Sequence, residues 1–310
     1  MSGGPAARSR PGDGSREGQR MKVAFVGLGS MGAPMARNLA KAGFRVAGFD
    51  INPKALASLA ADGGEAAQSA ADAATGADVL VLMVVDAAQA KSILMDQGAL
   101  AALSVSGTVI LMATCPPGSV QEIGRLVTET ARSFVDAPVS GGAIRARSGA
   151  LSIMAAAPAK VLEDVRPVLA ALGDKIFHVG TEPGQGAAVK AVNQLLCGIH
   201  IAAAAEGIAL ARKIGIDPKV MLEILGGSSA SSWMLKDRGP RMLETEPVGA
   251  STIDIFVKDL GIVLEAGREF KAALPLAAAA HQMFLATSGR GDGGADDSQV
   301  IRSYRRLNEA

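Results

Sequence analysis

The feature that most constrains this chain is a glycine triplet, Gly27-Leu28-Gly29-Ser30-Met31-Gly32, set between two patterns of different period. Before it, Lys22–Val26 is a short apolar run of strand type, and after it Ala33–Ala42 carries helical spacing. In a strand–turn–helix of this kind the first glycine permits a tight turn and the second lets the backbone approach a bound pyrophosphate. The third lets helix and strand pack closely, and the helix N-terminus faces the anion. The rest of the N-terminal half repeats the alternation. Arg45–Asp50, Val79–Val85, Thr108–Met112, Ser133–Val135 and Leu151–Ala155 read as strands, and Pro53–Ala61 as a helix. The unbroken apolar run Val79–Val85 is the type buried on both faces of a parallel sheet. Strands separated by helices imply right-handed βαβ units and an open, doubly wound parallel sheet.

The pattern changes near Gly180. Beyond the turn Gly184–Gly186 strand signals stop, and Ala187–Ile214 is one long Ala-rich helical stretch. Pro218–Leu225, a segment around Trp233–Leu243, Asp254–Phe270 and Pro275–Ser288 continue as helices. The expected organisation is a leader at 1–20, an α/β domain at 21–183 and an all-helical domain at 184–310, in keeping with about two domains for 310 residues. Residues 1–20 are rich in Gly, Pro, Ser and Arg and lack apolar periodicity, so they are expected to lie outside the fold. The closest approach to a membrane span, Leu195–Ala211, contains His200 and Glu206 and is shorter than the ~20 residues required, so no membrane association is expected.

Composition excludes several classes. Lys and Arg total 31 against 30 Asp and Glu, so there is no basic excess for nucleic acid. Eight Phe, one Tyr and one Trp offer few stacking platforms for bases. Cys115 and Cys197 make no disulfide framework, and the three His have no ligand spacing, so no metal site is expected and a cytoplasmic, reducing setting fits.

Four further constellations carry chemistry. Asp50 ends the second strand, eighteen residues beyond Gly32. A carboxylate there accepts hydrogen bonds from a ribose 2′-hydroxyl and repels a 2′-phosphate, and Ile51 and Asn52 supply no Arg to hold one. NAD is therefore favoured over NADP. Taken alone, Asp50 could also be a solvated loop carboxylate. Val84, Val85 and Thr114 fall at strand ends, where ligands lie in such sheets, although Thr114 could equally be a turn residue before Pro116. Ser140-Gly141-Gly142 gathers backbone N–H groups and a hydroxyl in a concavity suited to a carboxylate, or else forms a simple tight turn. Lys190, Asn193, Gln194 and Cys197 share one helical face. A buried Lys there would have a depressed pKa and could move a proton, whereas a surface Lys would merely snorkel.

Together these motifs resemble the β-hydroxyacid dehydrogenase family, which includes 3-hydroxyisobutyrate dehydrogenases, tartronate semialdehyde reductases and L-threonate dehydrogenases. The resemblance runs over about residues 22–305, through GLGSMGAPMARNL at 27–39, DAPVSGGAIRARSGAL at 136–151, GxGxxxK at 184–190 and FVKDLGIVLEA at 256–266. It implies a Rossmann-type N-terminal domain, an all-α C-terminal domain, and homodimers or homotetramers assembled through the helices. It implies Lys190 as the catalytic acid/base and Ser140, Gly141 and Gly142 as the substrate-carboxylate loop. Asn193 and Gln194 would orient the substrate, and Lys258 would close the cleft over substrate and nicotinamide. Gly27, Leu28, Gly29, Ser30, Met31, Gly32, Asp50, Val84, Val85 and Thr114 would contact the cofactor. Many members carry Asn-Asn where this chain has Asn193-Gln194, which resembles the tartronate semialdehyde reductase and threonate dehydrogenase branches. Ser232-Trp233-Met234, Arg238–Leu243 and the Asp296-Asp297-Ser298 ending resemble the latter, so L-threonate is the expected substrate, with tartronate semialdehyde or 3-hydroxyisobutyrate as alternatives. Trp233 is either a substrate-selectivity residue or helical-domain core. A decarboxylating 6-phosphogluconate dehydrogenase would need a larger helical domain. An imine reductase usually lacks the lysine, and a non-catalytic dinucleotide sensor has no need of an intact Lys190 and Ser-Gly-Gly set.

Overall fold

The structure, a computed structural model, describes residues 21–248 and 251–308, so the expected leader at 1–20 lies outside the described residues. Nine strands form one sheet: β1 Lys22–Val26, β2 Arg45–Phe49, β3 Glu65–Ala66, β4 Val79–Leu82, β5 Thr108–Leu111, β6 Ser133–Asp136, β7 Val139–Ser140, β8 Ser152–Ala156 and β9 Lys175–Gly180. Their order is β3-β2-β1-β4-β5-β6-β8-β7, with β9 pairing β8. The first six strands are all parallel. Their order, 3-2-1-4-5-6, is that of a dinucleotide-binding sheet, whose ligand crevice opens where the order reverses, between β1 and β4.

The expectation of a wholly parallel sheet is corrected at the far edge. There β8 runs antiparallel to β6 and β7, and β9 runs parallel to β8. β9 carries no apolar run that would mark it in the sequence, because it is an edge strand with no fully buried residue. Val79–Val85 also divides. Pairing ends at Leu82, and Met83–Val85 leave the sheet toward the crevice.

Alternate residues of each central strand enter opposite layers. Val23 and Phe25 join one core with Met35, Leu39 and Val165, while Ala24 and Val26 join the other with Leu94, Val120 and Ile123. Burial on both faces explains why these strands read as continuous apolar runs. From Gln185 onward the described elements are helices, with a single isolated bridge between Thr252 and Asp296. The long helix Gln185–Lys213 contributes Ile201, Ala205 and Ile208 to a third core, against Phe256, Leu260 and Phe284. Phe256 and Phe284 stack with ring centroids 5.1 Å apart. A last helix, Ile301–Asn308, was not anticipated. At 29 residues, with mean hydropathy 1.5 over its apolar window, the helix runs longer than the stretch Leu195–Ala211, and by length and composition alone it is enough to cross a membrane, a test that the core helix of a folded domain also passes. Half of that window is buried against the rest of the chain.

Candidate active site

The sheet's carboxyl edge and the helical domain enclose a cleft of about 1230 Å³. From the α/β side it is lined by Gly29–Gly32, Val84, Val85, Thr114 and the loop Ser140–Gly142. From the helical side it is lined by Lys190, Asn193, Gln194, Cys197 and Lys258. Residues selected from separate motifs thus face one space. Gly27, Leu28 and Asp50 do not line it. Leu28 is a buried core side chain, and Gly27 has φ +96°, with Met83 O only 2.3 Å from where a Cβ would sit. These two build the turn rather than the cleft wall.

The glycine loop passes a direct test of its fitness for a dinucleotide. A Cβ at Gly32 would clash with the Gly27 carbonyl, so the packing of the turn accounts for that glycine. A Cβ at Gly29 would meet nothing within 4 Å. No contact within the protein demands a glycine there. The space in front of it is open, which leaves room for close approach of a ligand, and Gly29 is exposed on the cleft wall. Asp50 braces the loop from behind. Its carboxylate accepts from Leu28 N at 2.6 Å and from Asn52 N at 2.8 Å.

Lys190 lies on the long helix and is 6% exposed. Its Nζ donates to Gln194 Oε1 at 2.7 Å, and Gln194 Nε2 donates to Asp259 Oδ2 at 2.5 Å. The i, i+4 spacing makes the first bond, and the tertiary fold makes the second. Burial pushes the Lys190 amine below its ordinary pKa, and the Lys258 charge pushes the same way. Asp259 and Cys197 oppose them. The surface-lysine alternative therefore fails. Gln194 was expected to orient the substrate, but both ends of its amide are engaged within the protein. Asn193 Oδ1 meets only the Cys197 Sγ, at 3.9 Å.

Lys258 Nζ is 2.7 Å from Asp259 Oδ1 and donates to the Thr114 carbonyl at 3.1 Å, so it joins the helical domain to a strand end of the sheet. Ser140, Gly141 and Gly142 form the opposite wall, the two glycines at φ 128° and 63°. Trp233 is 56% exposed and lines the cleft, so it is not core; the Arg238 guanidinium stands 5.9 Å from its ring centroid. Arg238 in turn holds buried Asp297 by Nε to Oδ1 at 3.0 Å and Nη2 to Oδ2 at 2.8 Å. No local signal marks Asp259 or Asp297 for these contacts, since Gln194 and Arg238 lie 65 and 59 residues from them in the chain.

Comparison with known proteins agrees with this geometry. Residues 22–180 match the model of the NAD-binding domain of 6-phosphogluconate dehydrogenase. Residues 184–304 match that of the NAD-binding region of NADP-dependent 3-hydroxyisobutyrate dehydrogenase. An L-threonate dehydrogenase of Cupriavidus necator is 43% identical over 91% of this chain and 95% of its own length. One from Haemophilus influenzae is 40% identical over 93% and 96%. The crystal structure of a 3-hydroxyisobutyrate dehydrogenase from Salmonella typhimurium superposes with a TM-score of 0.86 at 39% identity, over 91% of this chain and 99% of that one. Glycine loop, buried lysine, domain pairing and full-length similarity converge: the chain belongs to the β-hydroxyacid dehydrogenase family, of the 3-hydroxyisobutyrate dehydrogenase-like type, and is an NAD(P)-dependent oxidoreductase acting on a CH–OH group.

Proposed function

We propose that this enzyme oxidises L-threonate to its 2-oxo acid with NAD, and that Lys190 is the general base. The observation that carries the reading is a buried amine with a depressed pKa, facing a cleft between a dinucleotide loop and a Ser-Gly-Gly loop. NAD bound along Gly29–Gly32 supplies the hydride acceptor. The Ser140 hydroxyl and the backbone N–H groups of Gly141 and Gly142 hold the substrate carboxylate. Lys190, whose charged form is disfavoured by desolvation, takes the hydroxyl proton as the C–H hydride departs, so both hydrogens leave the substrate and a C=O bond forms. Asn193 faces the substrate oxygen, and Gln194 holds the Lys190 amine in place. Lys258 closes the cleft from the helical side. Two relatives named as L-threonate dehydrogenases support the substrate, and the Asp50 carboxylate supports NAD over NADP. The Salmonella relative's name favours a second substrate, 3-hydroxyisobutyrate.

The same reading places the cofactor-binding unit at 21–183 and the helical unit at 184–310, in a cytoplasmic homodimer or homotetramer assembled through the helices. Exposed Val192, Leu210 and Ile224 on the helical unit support that assembly. The deciding experiment measures kcat/KM for L-threonate, tartronate semialdehyde and 3-hydroxyisobutyrate, with the nucleotide in its NAD and NADP forms. The highest value is expected for L-threonate with NAD. A higher value for another acid or for NADP replaces that part of the reading.

A further inference from the structure

We infer that Asp136 is a positioning residue for Lys190: its buried carboxylate pins the first turn of the long helix to the sheet edge and sets the lysine opposite the Ser140–Gly142 loop. This rests on the reading of Lys190 given above.

Asp136 ends β6 and is 1% exposed. Its backbone is held from both sides, in register with Leu111 of β5 and Ala156 of β8. Its side chain leaves this rigid frame, and Oδ2 accepts from Gly184 N at 2.9 Å and Ala187 N at 3.0 Å. Those donors are the N-cap residue Gly184 and Ala187 in the first turn of a 29-residue helix, at the end where amide groups lack intrahelical partners and the helix dipole favours a negative charge. Gly186 makes the approach possible. A Cβ there would stand 2.6 Å from Met154 O and 2.8 Å from Asp136 O, so a side chain would push the helix off the sheet.

Ordinary helix capping does not explain the arrangement. Other helices in this protein begin at Asn52, Ser69, Asp86 and Asp217, whose exposed side chains accept from amides two or three residues on. The Asp136 acceptor is 48 and 51 residues from its donors, crosses from sheet to helix and is buried. Burial is unfavourable for its charge and pushes its pKa up to about 6 against the pull of the helix amides. The contact joins two parts of the site. Lys190 follows Ala187 by three residues, about 4.5 Å along the helix axis, and Ser140 follows Asp136 by four residues in the chain. A single carboxylate thereby fixes the proton-transfer group relative to the substrate loop, where a displacement of about 1 Å is enough to cost ~100-fold in rate.

The test uses the isosteric variant Asp136→Asn, which turns one of the two oxygens into an amide donor near the helix amides. It is made in the full chain, alone and together with Lys190→Ala. The inference expects a ~10–100-fold fall in kcat, with NADH affinity and KM changed less than about threefold. It further expects Asp136→Asn to add less than about twofold to the loss already caused by Lys190→Ala. A loss of equal size in both backgrounds, or a kcat within about twofold of the parent, overturns it. Gly186→Ala lifts the same turn from the sheet and is the second variant, expected to show the same dependence on Lys190. A readout without turnover separates this inference from the reading of the activity. Acetylation of Lys190 by acetic anhydride across pH, followed by peptide mass spectrometry, is expected to shift in Asp136→Asn while other lysines do not. Unchanged Lys190 reactivity overturns the clamp even if no hydroxy acid is turned over. Turnover retained by Lys190→Ala overturns the role of the lysine, and the clamp's catalytic role with it.

Discussion

The helical domain buries two cations beside the cleft and treats them in opposite ways. Arg238 is given a carboxylate directly, through two parallel bonds to Asp297, and its pKa is held above the ordinary arginine value. Lys190 is kept one amide away from a carboxylate. Gln194 stands between it and Asp259, and its pKa is lowered. A charge that must persist is neutralised by contact. The amine proposed to give up and recover a proton is desolvated and held by a neutral acceptor, so that its charged form gains little.

The largest test of this contrast is Lys190→Ala. It should lower kcat by ~10²–10⁴-fold, the range for a lost general acid/base, while folding stability by denaturant titration changes little. Near-normal turnover would sink the assignment. Arg238→Ala should reverse the pattern. Removing one partner of a buried pair leaves Asp297 to the more distant Arg241 guanidinium, 3.9 Å away, and costs up to about 3–5 kcal/mol of stability in a urea titration. A loss under 1 kcal/mol would mean that the pair is not structural.

Asp259→Asn sharpens the contrast at the lysine. Asp259 favours the charged amine, so removing its charge lowers the Lys190 pKa further. Oxidation requires the neutral amine, so the rising limb of the kcat–pH profile should move to lower pH. Movement to higher pH would contradict the sign of this coupling. The smallest effect belongs to Trp233→Leu. It removes the ring near the Arg238 guanidinium and should cost about 0.5–1 kcal/mol, visible as a slightly earlier unfolding midpoint.

Much of this site was legible before folding because its signals are local. The Gly27–Gly32 turn announces itself by glycines at fixed offsets between a strand and a helix. Lys190, Asn193, Gln194 and Cys197 share a face because helical geometry puts them there. Even the depressed lysine pKa could be anticipated from a Lys within an apolar helix. The errors have a common physical origin. The β9 strand was missed because an exposed edge strand needs no apolar run. Val79–Val85 was read as one strand because apolarity does not mark where pairing stops. The bond from Gln194 to Asp259 leaves no mark in the sequence, because nothing local places that carboxylate beside the amide.

The sequence by itself determined the strand–turn–helix opening, the change from α/β to all-helical near Gly180, and the residue types on the helix face that carries Lys190. Each depends on neighbours within a few positions, where backbone geometry alone sets the outcome. Only the tertiary structure decided the partnerships Asp136 with Gly184, Arg238 with Asp297 and Gln194 with Asp259, at separations of 48, 59 and 65 residues. Those contacts exist because packing the helices on the sheet removes water from particular polar groups. Once desolvated, each needs a partner, and the partner is whichever side chain the fold has brought within reach.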